Sequence, residues 1–307
     1  MCRHVSLPTS DNRASSPSRD WEYPSLLICV ILLCETLFLL TERRIAGQWG
    51  FSLDDSWIHA TIASNLATGS GYSFNRGEWV AGSTAPLFTI LLAVGYRIFG
   101  DIVWSAKVLG ILFQCATAVI VITSMQILTP KRRDLSLAAG LRLELVILAG
   151  GVLLWETLGV RPMAEAHAWN VQNINGMHRQ LGEMAKRMTR PGDAIAVNDI
   201  GAIGYFSDRY VVDLMGLISP LRSLPENLSI YKPSLLIIFP NWFPTYTVYD
   251  SLHNTVYYLD ADSTHKYSAL FLVKLEHNTV ASRRQMCVYV RQRVEDPPPR
   301  YTWKYRR

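Results

Sequence analysis

Cysteine is scarce in this sequence and forms no pattern. Five cysteines occur in 307 residues, and Cys29, Cys34 and Cys115 lie inside apolar runs. Cys2 belongs to the N-terminal tail and Cys287 to the second half of the chain. No even, regularly spaced set exists, which argues against both a disulfide framework and a zinc signature.

Charge is also sparse and widely dispersed. Charged residues make up 18% of the chain and the formal net charge is +5. This positive charge is spread and partly terminal, and no basic stripe alternates with aromatic residues, so we expect no nucleic-acid partner. No set of His, Asp and Glu stands at metal-ligand spacing. The sequence therefore predicts no cofactor and leaves the use of a metal undecided.

Long apolar runs are present, but only in one half of the chain. Residues 24–160 are rich in them, whereas residues 161–307 are typical of soluble sequence. We therefore expect a multi-pass α-helical membrane region followed by a small α/β extracytoplasmic domain. The predicted divisions are 1–23, a disordered cytoplasmic tail; 24–160, a membrane domain with an outer loop at 42–84; 161–294, an α/β soluble domain; and 295–307, a disordered basic tail.

Four segments are candidates for contact with the bilayer. Pro24–Leu40 is just long enough to cross, and the charge-free Leu109–Leu128 is the strongest span. Leu141–Val160 is weaker because it contains three charged residues. The short segment Ala85–Gly100 either crosses or lies half-inserted beside the loop.

The basic cluster Lys131–Arg133 favours one orientation. If the cluster and the N-terminal tail are both cytoplasmic, Pro24–Thr41 runs outward and Ile102–Leu128 runs inward. Ala85–Gly100 is then interfacial or re-entrant, and Leu141–Val160 places the globular half outside. Four full crossings are the alternative, and they would place the globular half in the cytoplasm.

The second half of the chain alternates helical and strand-like segments. Apolar residues recur at three- and four-residue steps between Val171 and Asp193, which predicts a helix that Pro191 ends. Short β-branched runs follow, among them "AIAV", "YVVDLMGL", "SLLIIFP", "ALFLVKL" and "MCVYVR". This alternation is typical of an α/β sheet with some parallel strands.

The predicted outer loop carries two adjacent carboxylates, Asp54 and Asp55. They fall on the first turn of a short predicted amphipathic helix, in which Asp55 and His59 share one side. One interpretation is that both acids only cap the helix, where its dipole favours negative charge. A turn-rich connector, "ATGSGYSFNRGE", follows the helix.

The stretch "LDDSWIHATIASNLATGSGYSFNRGEWVAGSTAPL" resembles the first outer loop of the C-type, membrane-embedded glycosyltransferases. That superfamily includes the protein mannosyltransferases and the aminoarabinose transferases of lipid A. The matching positions are Asp54, Asp55, Gly69, Gly71, Asn75, Gly77, Glu78, Gly82, Ser83, Thr84 and Pro86. A second stretch, "VNDIGAIGYFSDRYVVDLMGLISP", resembles the start of the C-terminal extracytoplasmic domain of bacterial members.

The resemblance implies an inverting glycosyltransferase of the cell (inner) membrane. Its partners would be membrane lipids, a polyprenyl-phosphate sugar donor and an extracytoplasmic glycan, lipid or protein acceptor. In this interpretation Asp54 is the general base, and Asp55 orients the acceptor or a neighbouring cation. The candidate substrate-binding residues are His59, Asn75, Arg76, Glu78, Ser83 and Thr84.

Alternatives remain for several of these side chains. Arg76, or Arg43 and Arg44, would clamp the donor phosphate through charge-assisted hydrogen bonds, or would anchor the chain to lipid headgroups. His59 either assists catalysis or is a surface partner of Asp55.

Several glycines and acids in the second half of the chain could likewise have a binding role or a purely structural one. Gly201 and Gly204 follow a strand without a complete dinucleotide fingerprint, which favours close helix–strand packing. Asp199 and Asp213 contact acceptor sugars or are ordinary acids at strand ends.

The chain departs from the family in one respect. Family enzymes usually have many more spans before the soluble domain, whereas here Val160 runs almost directly into the helix that precedes it. An internally shortened enzyme is therefore one interpretation. The others are a non-catalytic membrane-anchored protein that binds a glycan or a partner, and an inactive remnant.

Overall fold

The computed structural model describes residues 22–128, 158–249, 257–259 and 267–292. Several predicted features lie outside these residues. They are most of the N-terminal tail 1–23, residues 141–157 of the predicted span Leu141–Val160, the basic cluster Lys131–Arg133 and the C-terminal tail 295–307.

The first part of the chain is helical. The helices are α1 (Glu22–Ala46), α2 (Asp54–Ala67), α3 (Pro86–Phe99) and α4 (Ile102–Leu128). Helical residues 158–174 (α5) continue without a break into a five-residue π-helix, Asn175–Arg179, and then into α6 (Gln180–Met188). Pro86 begins α3 and Gly100 ends it in the left-handed conformation, a combination that fixes the length of this helix.

The prediction of a multi-pass membrane region is wrong. Among the described residues, only Ile102–Ser124 in α4 forms a helix that is long and apolar enough to cross a bilayer, and its most apolar window is not buried in the protein. The helix α1 is long but carries Glu35, Glu42, Arg43 and Arg44. The helix α3 has 14 residues, and a helix of that length rises only about 21 Å against a hydrocarbon thickness of about 30 Å.

The second part of the chain forms a mixed sheet. Its strands are β1 (Ala194–Val197), β2 (Tyr210–Asp213), β3 (Leu235–Ile238), β6 (Tyr267–Lys274) and β7 (Gln285–Arg291), in the order β2-β1-β3-β7-β6. The strand β1 pairs in parallel with β2 and β3, whereas β7 is antiparallel to β3 and β6. Two short strands, β4 (Thr247–Tyr249) and β5 (Tyr257–Leu259), pair separately.

Two short helices connect the parallel strands. The helix α7 (Gly201–Ser207) joins β1 to β2, and α8 (Leu224–Tyr231) joins β2 to β3. Ser223 and Glu226 form a capping box that fixes the start of α8. All four residues of β1, β2 and β3 are buried, and apart from Asp213 at the end of β2 these strands are apolar rather than alternating.

The helix α2 shares its core with the sheet. Ile58 and Ile62 of α2 and Phe74 of the following connector pack with strand residues such as Val197 and Ile237. The opposite side of α2 packs on α3 and α4 through a second apolar cluster that contains Trp57. The segment predicted as an outer loop of the membrane domain thus lies between the sheet and the helix α4.

Candidate functional site

Asp54 joins the N-terminal helices to the sheet domain. Its Oδ2 accepts a hydrogen bond from the backbone N–H of Gly201, and its Oδ1 accepts one from Ala202, both at 2.8 Å. A Cβ at Gly201 would lie 2.0 Å from the backbone oxygen of Asp54, so only glycine allows this approach. Gly201 therefore serves the close packing of α2 on α7.

A buried histidine and a second acid accompany Asp54. The Nε2 atom of His178 lies 2.9 Å from Oδ2 of Asp199, and the His178 side chain is fully buried. Burial alone would lower the pKa of His178, but the hydrogen bond to Asp199 and the charges of Asp54 and Asp199 raise it above its ordinary value. We call Asp54, His178 and Asp199 the buried triad after His178; Asp54 is partly buried and the Asp199 side chain is 20% exposed.

The pKa of Asp54 responds to the same surroundings. Burial and the charge of Asp199 raise it to about 6, while His178 and the two backbone N–H groups oppose the rise. A carboxyl group with such a pKa is ionised at neutral pH and still accepts a proton readily, which suits a general base.

The π-helix that carries His178 contains buried polar atoms without hydrogen-bond partners in the described residues. Nδ1 of His178 and both side-chain polar atoms of Asn175 are buried and have no hydrogen-bond partner within the described part of the chain. A π-helix widens one turn of an α-helix and frequently marks a functional site. The irregular turn therefore coincides with the buried triad.

A cavity of about 290 Å³ is lined by residues of α1, α2, α4, the π-helix and α7. Its walls include Arg43, Trp49, Trp57, Trp104, Arg179 and Tyr205, and we call it the aromatic cavity. Its rings contact one another: the Trp49 and Trp104 centroids are 4.6 Å apart, and those of Trp57 and Tyr205 are 4.9 Å apart.

Two guanidinium groups face this aromatic lining. Arg43 lies 5.4 Å from the ring centroid of Trp49, and Arg179 lies 4.7 Å from that of Phe206. Guanidinium groups bind phosphate and carboxylate oxygens through paired N–H donors, and flat rings stack on the faces of sugars. The aromatic cavity therefore combines two guanidinium groups with aromatic rings, although Asp101 also lines it and Arg179 pairs with Glu183 at 2.8 Å.

The position of the aromatic cavity links it to α2 and α4. Trp104 lies in the first turn of α4, and Arg43 lies in the last turn of α1. Trp57 follows Asp54 by three residues, so the two are neighbours on one side of α2. The cavity thus lies at the start of the candidate membrane span, and Asp54, His178 and Asp199 are not among its described lining residues.

Three predicted site residues form a separate polar group. Asp55 is exposed and lies near His59. Partial burial lowers the pKa of His59, and the negative charge of Asp55 offsets only part of this effect. Nδ1 of His59 lies 2.9 Å from Oγ of Ser83 and 3.0 Å from Oγ1 of Thr89. Thr89 was not among the predicted residues, because it lies inside an apolar helix and carries no sequence signal.

Other predicted site residues attach the connector to the edge of the sheet. The Asn75 side chain makes two 2.9 Å hydrogen bonds with the backbone N–H and C=O of Val211. Arg76 pairs with Asp208 at 2.8 Å, and the hydroxyl of Tyr210 donates to Glu78 at 3.2 Å. The Asn75 side chain thus pairs with the free edge of β2 as a further strand would. Together with Arg76 and Glu78, it holds the connector against the sheet. Thr84 is exposed and lies in neither group.

Comparisons with known proteins give one match. A family described as a domain of unknown function (DUF8728) matches residues 166–290. No curated protein and no solved structure matches the chain. The matched range contains His178, Asp199 and the sheet, whereas Asp54 and Asp55 lie outside it.

His178 is the member of the buried triad that the sequence did not reveal. It lies within an apolar helical pattern, where a single histidine is unremarkable. Asp199 offers a better signal, since it lies two residues beyond the carboxyl end of a parallel strand, where α/β proteins place their ligands. Among the described residues, no group of three or more His, Cys, Asp or Glu side chains is arranged to hold a metal ion.

Proposed function

We propose that this chain is a membrane-attached C-type glycosyltransferase. It moves a sugar from a polyprenyl-phosphate donor to an extracytoplasmic glycan, lipid or protein acceptor, with inversion. The observation that carries the proposal is the aromatic cavity, which combines Arg43 and Arg179 with several rings at the start of α4. Attachment through α4 would keep the lipid of the donor in the bilayer and its sugar at the surface.

The lining of the aromatic cavity suits the phosphate and the sugar of such a donor. Arg43 and Arg179 would bind the phosphate oxygens, and the ring of Tyr205 would pack on the sugar. Trp49 and Trp57 each have a buried indole N–H without a partner in the described residues, and such donors favour a polar ligand.

In this proposal Asp54 acts as the base. The acceptor oxygen attacks the anomeric carbon, the bond from that carbon to the phosphate oxygen breaks, and the electron pair leaves with the phosphate. The carboxylate of Asp54 takes the proton from the acceptor. Each Asp54 oxygen accepts one backbone N–H and keeps a further lone pair for this purpose. Asp55, exposed on the same turn, would orient the acceptor.

The test is transfer from a polyprenyl-phosphate sugar by the 307-residue chain and its variants. Asp54→Asn should lower turnover by about 10²- to 10⁴-fold, as expected for loss of a general base. It should leave donor binding, followed by tryptophan fluorescence, nearly unchanged. Glu165→Gln removes a carboxylate from the exposed Arg161–Glu165 pair and should retain full turnover. Unchanged turnover in Asp54→Asn would remove Asp54 as the base.

One observation favours a second candidate function. Both oxygens of Asp54 already accept backbone N–H groups, an arrangement that serves the packing of α2 on α7. The chain would then be a non-catalytic membrane-anchored protein that binds the same glycan ligand in the aromatic cavity. The same assay separates the three possibilities: an enzyme binds and transfers, a binding protein only binds, and an inactive remnant does neither.

A further inference from the structure

A second cavity, of about 700 Å³, lies in the sheet domain. Its lining includes Lys274 at the end of β6, Gln285 at the start of β7 and Pro240, which closely follows β3. We call it the basic groove. Its volume falls within the range of about 300–1,000 Å³ that is usual for small-molecule sites.

The basic groove lies at the carboxyl ends of β3 and β6, on the sheet edge that carries the switch point, and none of its described lining residues belongs to β1. The strand β1 has β2 on one side and β3 on the other, so the crossover from β2 to β3 passes over β1. The direction of winding therefore changes between β1 and β3, and ligands bind at the carboxyl ends of the strands at such a point. The strands β3 and β6 are both antiparallel to β7, so β6 ends on the same edge.

Contacts at this edge connect the groove to a fixed framework. The backbone N–H of Phe239 donates to Oδ1 of Asn198 at 3.0 Å, which ties the end of β3 to the end of β1. The Phe239 ring lies 6.0 Å from the ring of the buried His178. These two contacts of Phe239 hold the neighbouring Pro240, and with it one side of the basic groove, close to His178.

The basic groove carries positive charge without internal compensation. Lys274, Arg283 and Arg284 line it and are exposed, and none of them forms an ion pair with the described residues. No acidic side chain occurs among the described lining residues. Three like charges around one concave site repel one another, and an anionic ligand relieves that repulsion.

The remaining lining is suited to hydroxyl groups. Asn241, Ser282 and Gln285 supply neutral donors and acceptors. The indole Nε1 of Trp242 donates to Oγ of Ser282 at 2.5 Å, so its ring stands at the rim. This ring is 42% exposed, which leaves a flat apolar surface available for a sugar face.

We infer that the basic groove binds a saccharide that carries a phosphate or carboxylate group. The cations bind the acidic group, the neutral side chains bind hydroxyls, and Trp242 packs on the ring. This site is separate from the aromatic cavity, and its occupancy does not depend on transfer from a lipid-linked donor.

The test measures binding of four probes to the purified 307-residue chain by isothermal titration calorimetry. The probes are glucose 1-phosphate, glucuronate, glucose and inorganic phosphate. Glucose 1-phosphate and glucuronate should bind at least about tenfold more tightly than glucose or inorganic phosphate, because only they engage both parts of the groove. The control uses two exposed arginines outside the groove, Arg187 in α6 and Arg190 just after it. Replacing both removes the same amount of positive charge from another part of the surface.

The double variant Arg283→Gln/Arg284→Gln should weaken binding of both acidic sugars by at least about tenfold. The control Arg187→Gln/Arg190→Gln should bind them like the unaltered chain. If both double variants bound the acidic sugars equally weakly, the loss would come from net charge rather than from the groove, and the inference would be overturned. Inorganic phosphate binding as tightly as glucose 1-phosphate would also overturn it, as would the absence of any binding. Transfer activity is not measured, so failure here leaves the proposed function untouched.

Discussion

Asp54 and Asp55 are neighbours in sequence and differ in almost every physical respect. Asp54 accepts two backbone N–H groups and lies near the buried His178, whereas Asp55 is exposed. The first turn of α2 directs one carboxylate toward α7 and the other toward solvent. The pair therefore divides into a residue with a raised pKa and a residue that is free to meet a ligand.

The raised pKa of Asp54 predicts a stability that depends on pH. The folded chain holds a proton at Asp54 up to about pH 6, whereas the unfolded chain releases it near the ordinary aspartate pKa of 3.8. The stabilisation is therefore complete below about pH 4 and is lost as the pH rises to 6, by about 3 kcal/mol at most. His178, whose pKa is also raised, acts in the same direction at higher pH.

The variant Asp54→Asn isolates this contribution. Urea unfolding should be measured between pH 4 and 7 for both chains, and the decline in unfolding free energy with rising pH should be smaller in the variant. Differences between the two chains are the quantity to compare, because other carboxyl groups titrate in both. Parallel curves for the two chains would show that Asp54 has an ordinary pKa.

At the scale of secondary-structure elements, the contact between α2 and α7 depends on glycine. A Cβ at Gly201 would overlap the backbone of Asp54, and a Cβ at Gly204 would lie 2.7 Å from the Phe74 ring. These glycines let two helices and the connector meet closely enough for the hydrogen bonds of Asp54 to form. Dinucleotide binding is not needed to explain them.

Replacing Gly201 with alanine should therefore destabilise the fold. The added methyl group meets backbone, which cannot move aside as a flexible side chain would, so we expect a loss of about 3 kcal/mol in unfolding free energy. The matched control is Gly110→Ala in α4, where a Cβ meets nothing within 4 Å. That change should be neutral or stabilise by up to about 1 kcal/mol. Thermal unfolding of both variants measures the contrast, and equal effects would contradict it.

At the scale of the whole molecule, Glu42 connects parts of the chain that are distant in sequence. Its side chain accepts from Lys107 of α4 at 2.6 Å and from the backbone N–H of Gly50 at 2.9 Å, and it contacts His167 of α5 at 3.2 Å. It is 1% exposed. Burial alone would raise the pKa of Glu42, but the hydrogen bonds from His167 and Lys107 outweigh burial and lower it.

Removing this charge should loosen the helical part of the molecule. Glu42→Gln leaves Lys107 without its partner in a largely buried position, which should cost about 3 kcal/mol of unfolding free energy. Glu165→Gln, in the exposed pair with Arg161, should cost less than about 1 kcal/mol. Because the pKa of Glu42 is lowered, its contribution is present above the ordinary carboxyl pKa and is lost in acid. Urea titration at pH 7 and pH 4 would test both statements, and a loss as small as that of Glu165→Gln would contradict the first.

The sheet and the helix α2 were accessible from local sequence patterns. The runs "AIAV", "SLLIIFP" and "MCVYVR" contain β1, β3 and β7, because β-branched residues prefer the extended backbone. The acidic pair was predicted on the first turn of a helix, where α2 begins. Hydropathy alone was a poor guide to the number of membrane spans, because an apolar helix such as α3 can be too short to cross a bilayer.

Near neighbours along the chain govern which segments become helix or strand, so local patterns in the sequence predict most of those segments. Packing between distant segments brings Asp54 to Gly201, 147 residues away, and places His178 and Asp199 near them. It also makes Asn75 and Arg76 attach a connector to the sheet edge rather than line the aromatic cavity. Such contacts arise from packing between distant segments, and no periodicity in the sequence encodes them.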